Sequence, residues 1–247
     1  MTSILITGAS RGIGLSLVKE LAVYSKAPKL ILAACRKPEE AHELQDFTKK
    51  HKNVQIIQLD TTKFDTFDKV VQEVSNIVGD EGLNCLINNA GILIQTQKLS
   101  NVTVDILTQH YVTNTVGPIM LTKAFVPLLK KAAKKNPDLP MGIAKSAVVN
   151  MSSVLGSVSL NTAGGYYGYR ESKAALDIAS RSISQDLKDD GILVTVLHPG
   201  WVKTDMGGPG ADLTIEESVG NIVKTLHSLS EKHQSGFYRY DGKELQW

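Results

Sequence analysis

The stretch NTAGGYYGYRESKAALD, residues 161–177, carries tyrosines at 166, 167 and 169 ahead of a helix-like run. A phenol exchanges protons near neutral pH only when something lowers its pKa from about 10. Residues four apart on a helix share a face, so the fourth position downstream can supply the charge that does this. Tyr166 has Arg170 there, Tyr167 has Glu171, and Tyr169 alone has a lysine, Lys173. An ammonium about 4 Å from the phenol is worth roughly 4 kcal/mol at an effective dielectric of 20, or about three pK units. The spacing predicts Tyr169 poised at a pKa of about 7 as a general acid or base. Tyr166 and Tyr167 are candidates for a substrate wall or for ordinary packing. The pair is useful only beside a site holding something to protonate; otherwise the cluster is a packed glycine-rich turn.

A second stretch offers such a site. TGASRGIGLSLVKEL places Gly8, Gly12 and Gly14 between an apolar strand-like run and a helix. Glycines let the backbone turn tightly and approach a pyrophosphate, and a helix start presents free N–H groups to it. Gly8, Ser10, Arg11, Gly12, Ile13 and Gly14 are therefore candidate dinucleotide-binding residues. An acid about 20 residues on binds the ribose hydroxyls of NAD, whereas an arginine accommodates the 2′-phosphate of NADP. Here Cys35 stands where the acid would be, followed by Arg36 and Lys37. Arg36 with Arg11 could flank one phosphate, a geometry that suits guanidinium groups. The expected cofactor is NADP(H).

The elements that would position these residues follow from the apolar pattern. Strand-like runs fall at 3–7, 29–34, 54–59, 83–87, 146–151, 193–197 and 236–240, with helical patterns near 12–25, 38–51, 64–78, 103–134, 168–188 and 215–230. Several strands are apolar on successive residues, as in a parallel sheet covered on both faces. The alternation, without a linker or internal repeat, predicts a single α/β domain over 1–247. Its fold would be a doubly wound Rossmann-type parallel sheet of about seven strands, flanked by helices on both faces. DMGGPGADLTIEES is glycine-rich and ends in a capping-box pattern, so residues 205–218 are expected to form a flap over the substrate.

Composition narrows the class. The 27 basic and 25 acidic residues leave +2, too little for a field that draws nucleic acid or anionic membrane. The basic run KKAAKKNPDLP (130–140) reads as a solvated helix end. MTSILITGAS has no basic segment before its apolar run, and no uncharged apolar stretch approaches the ~20 residues of a membrane span. A cytoplasmic protein is expected, with Cys35 and Cys85 as reduced thiols and no metal site.

Further pieces lie in order along the chain: LD at 59–60, NNAG at 88–91, Asn114 in VTNTVGP, NMSSVLG, YRESK and PGWVKT at 199–204. With TGASRGIG they resemble the short-chain dehydrogenase/reductase superfamily in its compact single-domain branch. NMSSVLGSVSLNTAGGYYGYRESKAALD and HPGWVKTDMGGPGA are most similar to the sniffer-type carbonyl reductases. The resemblance implies that Asp60 binds the adenine; the alternative is a cap for the helix after it. It also implies that Asn89, Ala90 and Gly91 line the cofactor, and that Pro199, Gly200, Val202 and Thr204 grip the nicotinamide carboxamide. Tyr169 and Lys173 would contact the cofactor as well as the reacting group. Ser153 would bind the carbonyl oxygen, with Ser152 as its rival because the segment before Tyr169 is longer than usual. Asn114 would serve a water relay to Lys173. The expected activity is NADPH-dependent reduction of a ketone, aldehyde or quinone by a homodimer or homotetramer. The alternatives are an NADP-linked alcohol or steroid dehydrogenase and a catalytically silent NADP sensor.

Overall fold

The computed structural model describes residues 3–247. Seven strands form one sheet: β1 (Ser3–Thr7), β2 (Leu30–Cys35), β3 (Val54–Gln58), β4 (Cys85–Asn88), β5 (Ala147–Met151), β6 (Leu193–His198) and β7 (Phe237–Arg239). Their order is β3-β2-β1-β4-β5-β6-β7, and every neighbouring pair is parallel. Each lies within two residues of its expected position. The central strands are buried on both faces, so alternate residues enter two separate cores. Ile4 and Ile6 of β1 pack into one core with Leu17, Val18 and Leu21 of helix α1 (Gly12–Val23) and Ile222 and Leu226 of α7 (Ile215–Ser228). Leu5 enters the other, with Val74 of α3 (Phe67–Val78) and Phe125 and Leu129 of α5 (Gly117–Lys135).

The strand order steps outward from β1 in one direction and from β4 in the other. That reversal leaves a crevice above the carboxyl ends of β1 and β4, where ligands of such sheets bind. Helices α2 (His42–Lys50) and α3 each follow a single 3₁₀ turn, at Pro38–Glu40 and Phe64–Thr66, within the ranges expected as one helix. Expected helix 168–188 is α6 (Tyr169–Leu187).

The expected helix over 103–134 contains an unforeseen feature. It is built from α4 (Val104–Tyr111), a π-helical turn (Val112–Val116) and α5, a continuous run of 32 residues. Pro118 has no N–H to donate to the carbonyl of Asn114, four residues back, and its ring crowds that carbonyl. The turn widens instead, and the Gly117 N–H bonds to the Val112 carbonyl. By length and composition this helix could cross a bilayer, but half of its most apolar stretch is buried inside the fold. Lys130, Lys131 and Lys135 near its end pair with Asp190, Asp80 and Glu81 at 2.8, 2.9 and 3.6 Å. The expected flap is shorter than 205–218, because α7 begins at Ile215. Thr214 caps it, accepting from the Glu217 N–H at 3.1 Å while the Glu217 carboxylate accepts from the Thr214 N–H at 2.9 Å.

Candidate active site

The glycine turn leaves β1 and enters α1 at the sheet's crevice. Gly8 and Gly12 have φ of +67° and +55°, a region that costs other residues strain. Gly14 is needed for space: a Cβ there would sit 2.2 Å from the Gly8 carbonyl oxygen. Arg11 at the N-cap makes no side-chain cap, and the first turn of α1 holds no acid, so its free N–H groups and positive dipole face the crevice. A close-approach backbone at an uncapped helix start fits a pyrophosphate. Gly14→Ala should lower the melting temperature by roughly 2–12 °C, since overpacking against backbone costs about 1–3 kcal/mol. Gly220→Ala, in the α7 interior with nothing within 4 Å of the new methyl, should leave the melting temperature unchanged or higher. Thermal unfolding of both variants checks the contrast.

Asn89 lines the crevice, and its side chain is committed to the fold. Its side-chain amide donates to the Thr7 carbonyl at 2.9 Å and to the Gly8 carbonyl at 3.4 Å. The Thr7 hydroxyl accepts from the Asn89 and Ala90 N–H groups, both at 3.0 Å. These bonds clamp the end of β4 to the glycine turn. Asn89 thus shapes the crevice through the fold. Asp60 also lines it and does not cap the helix that follows: Oδ1 accepts from the Thr62 N–H and hydroxyl at 2.9 and 2.7 Å, closing a turn ahead of Phe64–Thr66. At the end of β2, Cys35 is buried and Arg36 exposed, and both line the crevice. Burial and Glu39 push the Cys35 thiol up, so it remains a neutral thiol. Arg11 is not free beside Arg36 as expected. Its guanidinium donates to Asp205 of the flap at 2.5 Å, with both side chains exposed.

Ser153, Tyr169 and Lys173 come together across β5 and α6. Tyr169 starts α6, and the Glu171 carboxylate accepts from the Gly168 N–H at 2.6 Å to fix that start. The phenol is buried, and burial pushes its pKa up to about 12. The Ser153 hydroxyl faces it and draws it down, while Asp177 raises it. The expectation of a phenol near 7 is therefore not met. Tyr169 and Lys173 do share a face, but the Lys173 ammonium donates to the Met151 carbonyl at 2.7 Å and lies 5.8 Å from the phenol ring centroid. Lys173 is itself brought down to about 8 by burial, against the pull of Asp177. Of the two serines, Ser153 faces the Tyr169 phenol, whereas Ser152 is the one that lines the crevice and also draws the Asp177 carboxyl pKa down.

Asn114 sits in the π turn, wholly buried. Its Oδ1 accepts from the Ile92 N–H at 2.8 Å, and its Nδ2 donates to the Ile92 carbonyl and the Ser172 hydroxyl, both at 3.0 Å. A Cβ at Gly91 would lie 3.2 Å from Asn114 Oδ1, a tight contact, and 3.7 Å from Lys173 Nζ, an ordinary one, so glycine leaves room between these groups. Sequence reasoning missed His110, also wholly buried. It accepts from the Ile94 N–H at 2.9 Å and packs edge-on to Tyr169 with ring centroids 6.2 Å apart.

Pro199 and Thr204 line the crevice. Gly200 takes φ +87° against Leu213, and the Val202 segment pairs with Leu213, the Lys203 N–H donating to the Leu213 carbonyl at 2.9 Å. The flap is thus tied down at its base, and the Trp201 indole donates to the Gly207 carbonyl at 2.8 Å. Tyr166 and Tyr167 are half-buried, and neither lines the crevice. Tyr166 takes φ +53° under the Arg170 guanidinium, 6.0 Å from its ring centroid. Arg170 also donates to the carbonyls of Leu155, Gly164 and Gly165, fastening the extra residues before Tyr169.

Known proteins share this fold. The carbonyl reductase Sniffer of Drosophila melanogaster superimposes with a TM-score of 0.99 at 49% identity, each chain fully covered. An NADPH-bound carbonyl reductase from chicken fatty liver gives 0.96 at 41% identity, covering 100% of this chain and 94% of that one. An uncharacterized oxidoreductase of Schizosaccharomyces pombe is 34% identical over 97% of this chain and 96% of its own length. A model of the short chain dehydrogenase family matches residues 2–213. With a match of that extent, the chain belongs to the short-chain dehydrogenase family.

Proposed function

We propose that this protein is an NADPH-dependent carbonyl reductase acting on a ketone, aldehyde or quinone. The observation that carries the reading is the Tyr169 phenol, faced by the Ser153 hydroxyl, lining with Lys173 a crevice whose other end is the glycine cradle and Arg36. The solved relatives described as carbonyl reductases, one of them NADPH-bound, support it. Gly8 to Gly14 would hold the pyrophosphate, Asp60 the adenine, Arg36 the 2′-phosphate, Lys173 the ribose hydroxyls, and Pro199 to Thr204 the carboxamide.

NADPH, when bound, supplies hydride to the carbonyl carbon. Ser153 donates a hydrogen bond to the carbonyl oxygen, an interaction that strengthens as negative charge develops there. Tyr169 gives its phenolic proton to the same oxygen. An alkoxide is a stronger base than a phenolate, so this transfer runs downhill even from a phenol pushed up to about 12. The reverse reaction uses the phenolate as base, and net direction is set by the ratio of NADPH to NADP and not by these residues, so an NADP-linked alcohol or steroid dehydrogenase is the second reading. Lys173, charged below about 8, stabilises the phenolate left behind. Asn114 anchors Ile92 and Ser172 around it and offers the position for a water relay.

The same reading carries a cytoplasmic homodimer or homotetramer. Val104, Leu107 and Tyr111 recur at helical spacing on α4 and are exposed, as is Ile178 on α6, and sedimentation reads the assembly directly. The test of function is NADPH oxidation with a panel of ketones, aldehydes and quinones. Turnover with some members is expected. Tight NADPH binding with no turnover across the panel, and no effect of Tyr169→Phe, would establish the sensor instead.

A further inference from the structure

The inward face of α6 continues past the reacting pair. Tyr169, Lys173 and Asp177 follow one another at four-residue steps, and Asp177 is 4% exposed. The other inward polar groups of this helix are satisfied. The Ser172 hydroxyl donates to the Tyr169 carbonyl at 2.8 Å, and the Ser180 hydroxyl to the Leu176 carbonyl at 2.6 Å. Ser180 also accepts from Asn150 at 2.7 Å, while Lys173 holds the Met151 carbonyl. No hydrogen bond of full geometry reaches either carboxylate oxygen of Asp177; the Ser152 hydroxyl, which makes no such bond elsewhere, faces it and draws its pKa down. A buried carboxyl held so weakly is costly as an anion unless a counter-charge stands close by. Lys173, one turn away, is that charge.

The groups around Asp177 leave no other candidate. Tyr169 and Lys173 of its own helix are the titratable groups that couple to it. The π turn and the 3₁₀ turn Val154–Gly156, packed against α6, and β5, tied to it through the Met151 carbonyl and Asn150, carry no titratable side chain. β6 brings His198, held neutral at a pKa brought down to about 4 by burial and Arg239. α4 brings Asp105 and Tyr111, both exposed, and His110, whose ring nitrogens are engaged with Ile94 and Ile106. On α5, Lys123 and Lys134 are exposed, and Lys130, Lys131 and Lys135 are paired with acids.

We propose that Asp177 is a positioning residue of this site, acting through Lys173 rather than on substrate: its carboxylate keeps the Lys173 ammonium charged beside Tyr169. This rests on the reductase reading for its consequence but not for its test. Burial pushes Asp177 up to about 7, with Ser152 and Lys173 drawing it back, and Lys173 is brought down to about 8. Two such groups titrate as a coupled pair. Below about 7 Asp177 is neutral and contributes no charge. Above that pH its anion holds the lysine proton on, so removing it should let Lys173 discharge earlier.

The experiment compares wild type, Asp177→Asn and Ser152→Ala by two measurements. One is the pH profile of kcat/KM with NADPH and a reactive carbonyl. The other is the titration of Lys173 followed by NMR in lysine-labelled protein. Asp177→Asn should match wild type near pH 6, lose about ten-fold near pH 9, and move both the alkaline limb and the Lys173 titration down by about one pH unit. Ser152→Ala, which removes the hydroxyl that favours the carboxylate, should move both in the same direction by less, and it carries the test if Asp177→Asn does not fold. An unmoved Lys173 titration, or an equal loss at every pH, overturns the proposal. If no carbonyl is reduced by any of the three proteins, the reductase reading fails and the Lys173 titration alone decides the role of Asp177.

Discussion

Tyr169→Phe should fold, bind NADPH with near-normal affinity and reduce carbonyls about a thousand-fold more slowly than wild type, within the roughly 10²–10⁴ range for loss of a general acid. The substitution removes one oxygen and keeps the ring, so the edge-on packing against His110 survives. Lost with the hydroxyl are the proton that neutralises the alkoxide and the partner of Ser153. Ser153→Ala should cost less, on the order of a hundred-fold, because Tyr169 can still deliver its proton while one stabilising donor is gone. The pH dependence follows from the shifted groups. A phenol pushed up to about 12 stays protonated through the working range, so it imposes no alkaline limit of its own below that value. The reduction rate should fall instead as pH rises through the Lys173 titration near about 8, where the ammonium that stabilises the phenolate is lost. Steady-state rates for both variants over a pH series test all of this. A Tyr169→Phe enzyme within ten-fold of wild type would show that the proton comes from elsewhere.

The contrast between the expected and observed Tyr169 shows where sequence legibility ends. The seven strands were readable because a parallel strand buried on both faces is an unbroken apolar run, and such a run has few alternative structures. Gly14 and Gly91 were readable as close approaches because glycine at a strand end has few other uses. The pairing of Tyr169 with Lys173 was readable from helix spacing, but the charge state was not. Spacing gives a shared face, whereas a pKa depends on burial and on what else claims the ammonium. The Met151 carbonyl claims it, and no pattern in the sequence announces a backbone acceptor. The π turn was hidden for a related reason: Pro118 signals a disturbed helix, yet the way the backbone absorbs it depends on the packing around Asn114. Asp177 could have been found, since it repeats the four-residue step that singled out Lys173. Asn89 marks the opposite case, a residue placed correctly at the crevice whose amide is spent on holding Thr7 and Gly8.

Arg36→Asp should weaken NADPH binding by roughly a hundred-fold and NADH binding by only a few-fold, the size of effect expected when one or two charge-assisted hydrogen bonds to a phosphate are lost. Arg36 follows the end of β2, exposed at the rim of the crevice, and no ion pair holds its guanidinium among the described residues. Arg11, the other guanidinium expected at this phosphate, already faces a carboxylate in Asp205, so its charge is partly cancelled where it lies. Among the described residues of the crevice, Arg36 is thus the guanidinium without an ion pair, and it is the one we propose meets the 2′-phosphate. Cys35 beside it is buried and neutral and offers the ribose hydroxyls of NADH little, so wild type should use NADH poorly for want of an acceptor rather than by exclusion. The neighbouring Lys37 separates the local charge from the general one. It is bound to Glu40 at 2.7 Å and does not line the crevice, so Lys37→Asp should change the NADPH to NADH ratio less than three-fold. Salt provides a second check, since an exposed charge near a phosphate is screened: raising ionic strength should weaken NADPH more than NADH in wild type, and less than NADH in Arg36→Asp, where it relieves the repulsion of the new carboxylate. Dissociation constants for both cofactors, measured by fluorescence at two salt concentrations, decide the matter. Equal losses of NADPH and NADH on Arg36→Asp would mean that the side chain supports the loop and not the 2′-phosphate, and that the preference for NADPH must be sought at Arg11.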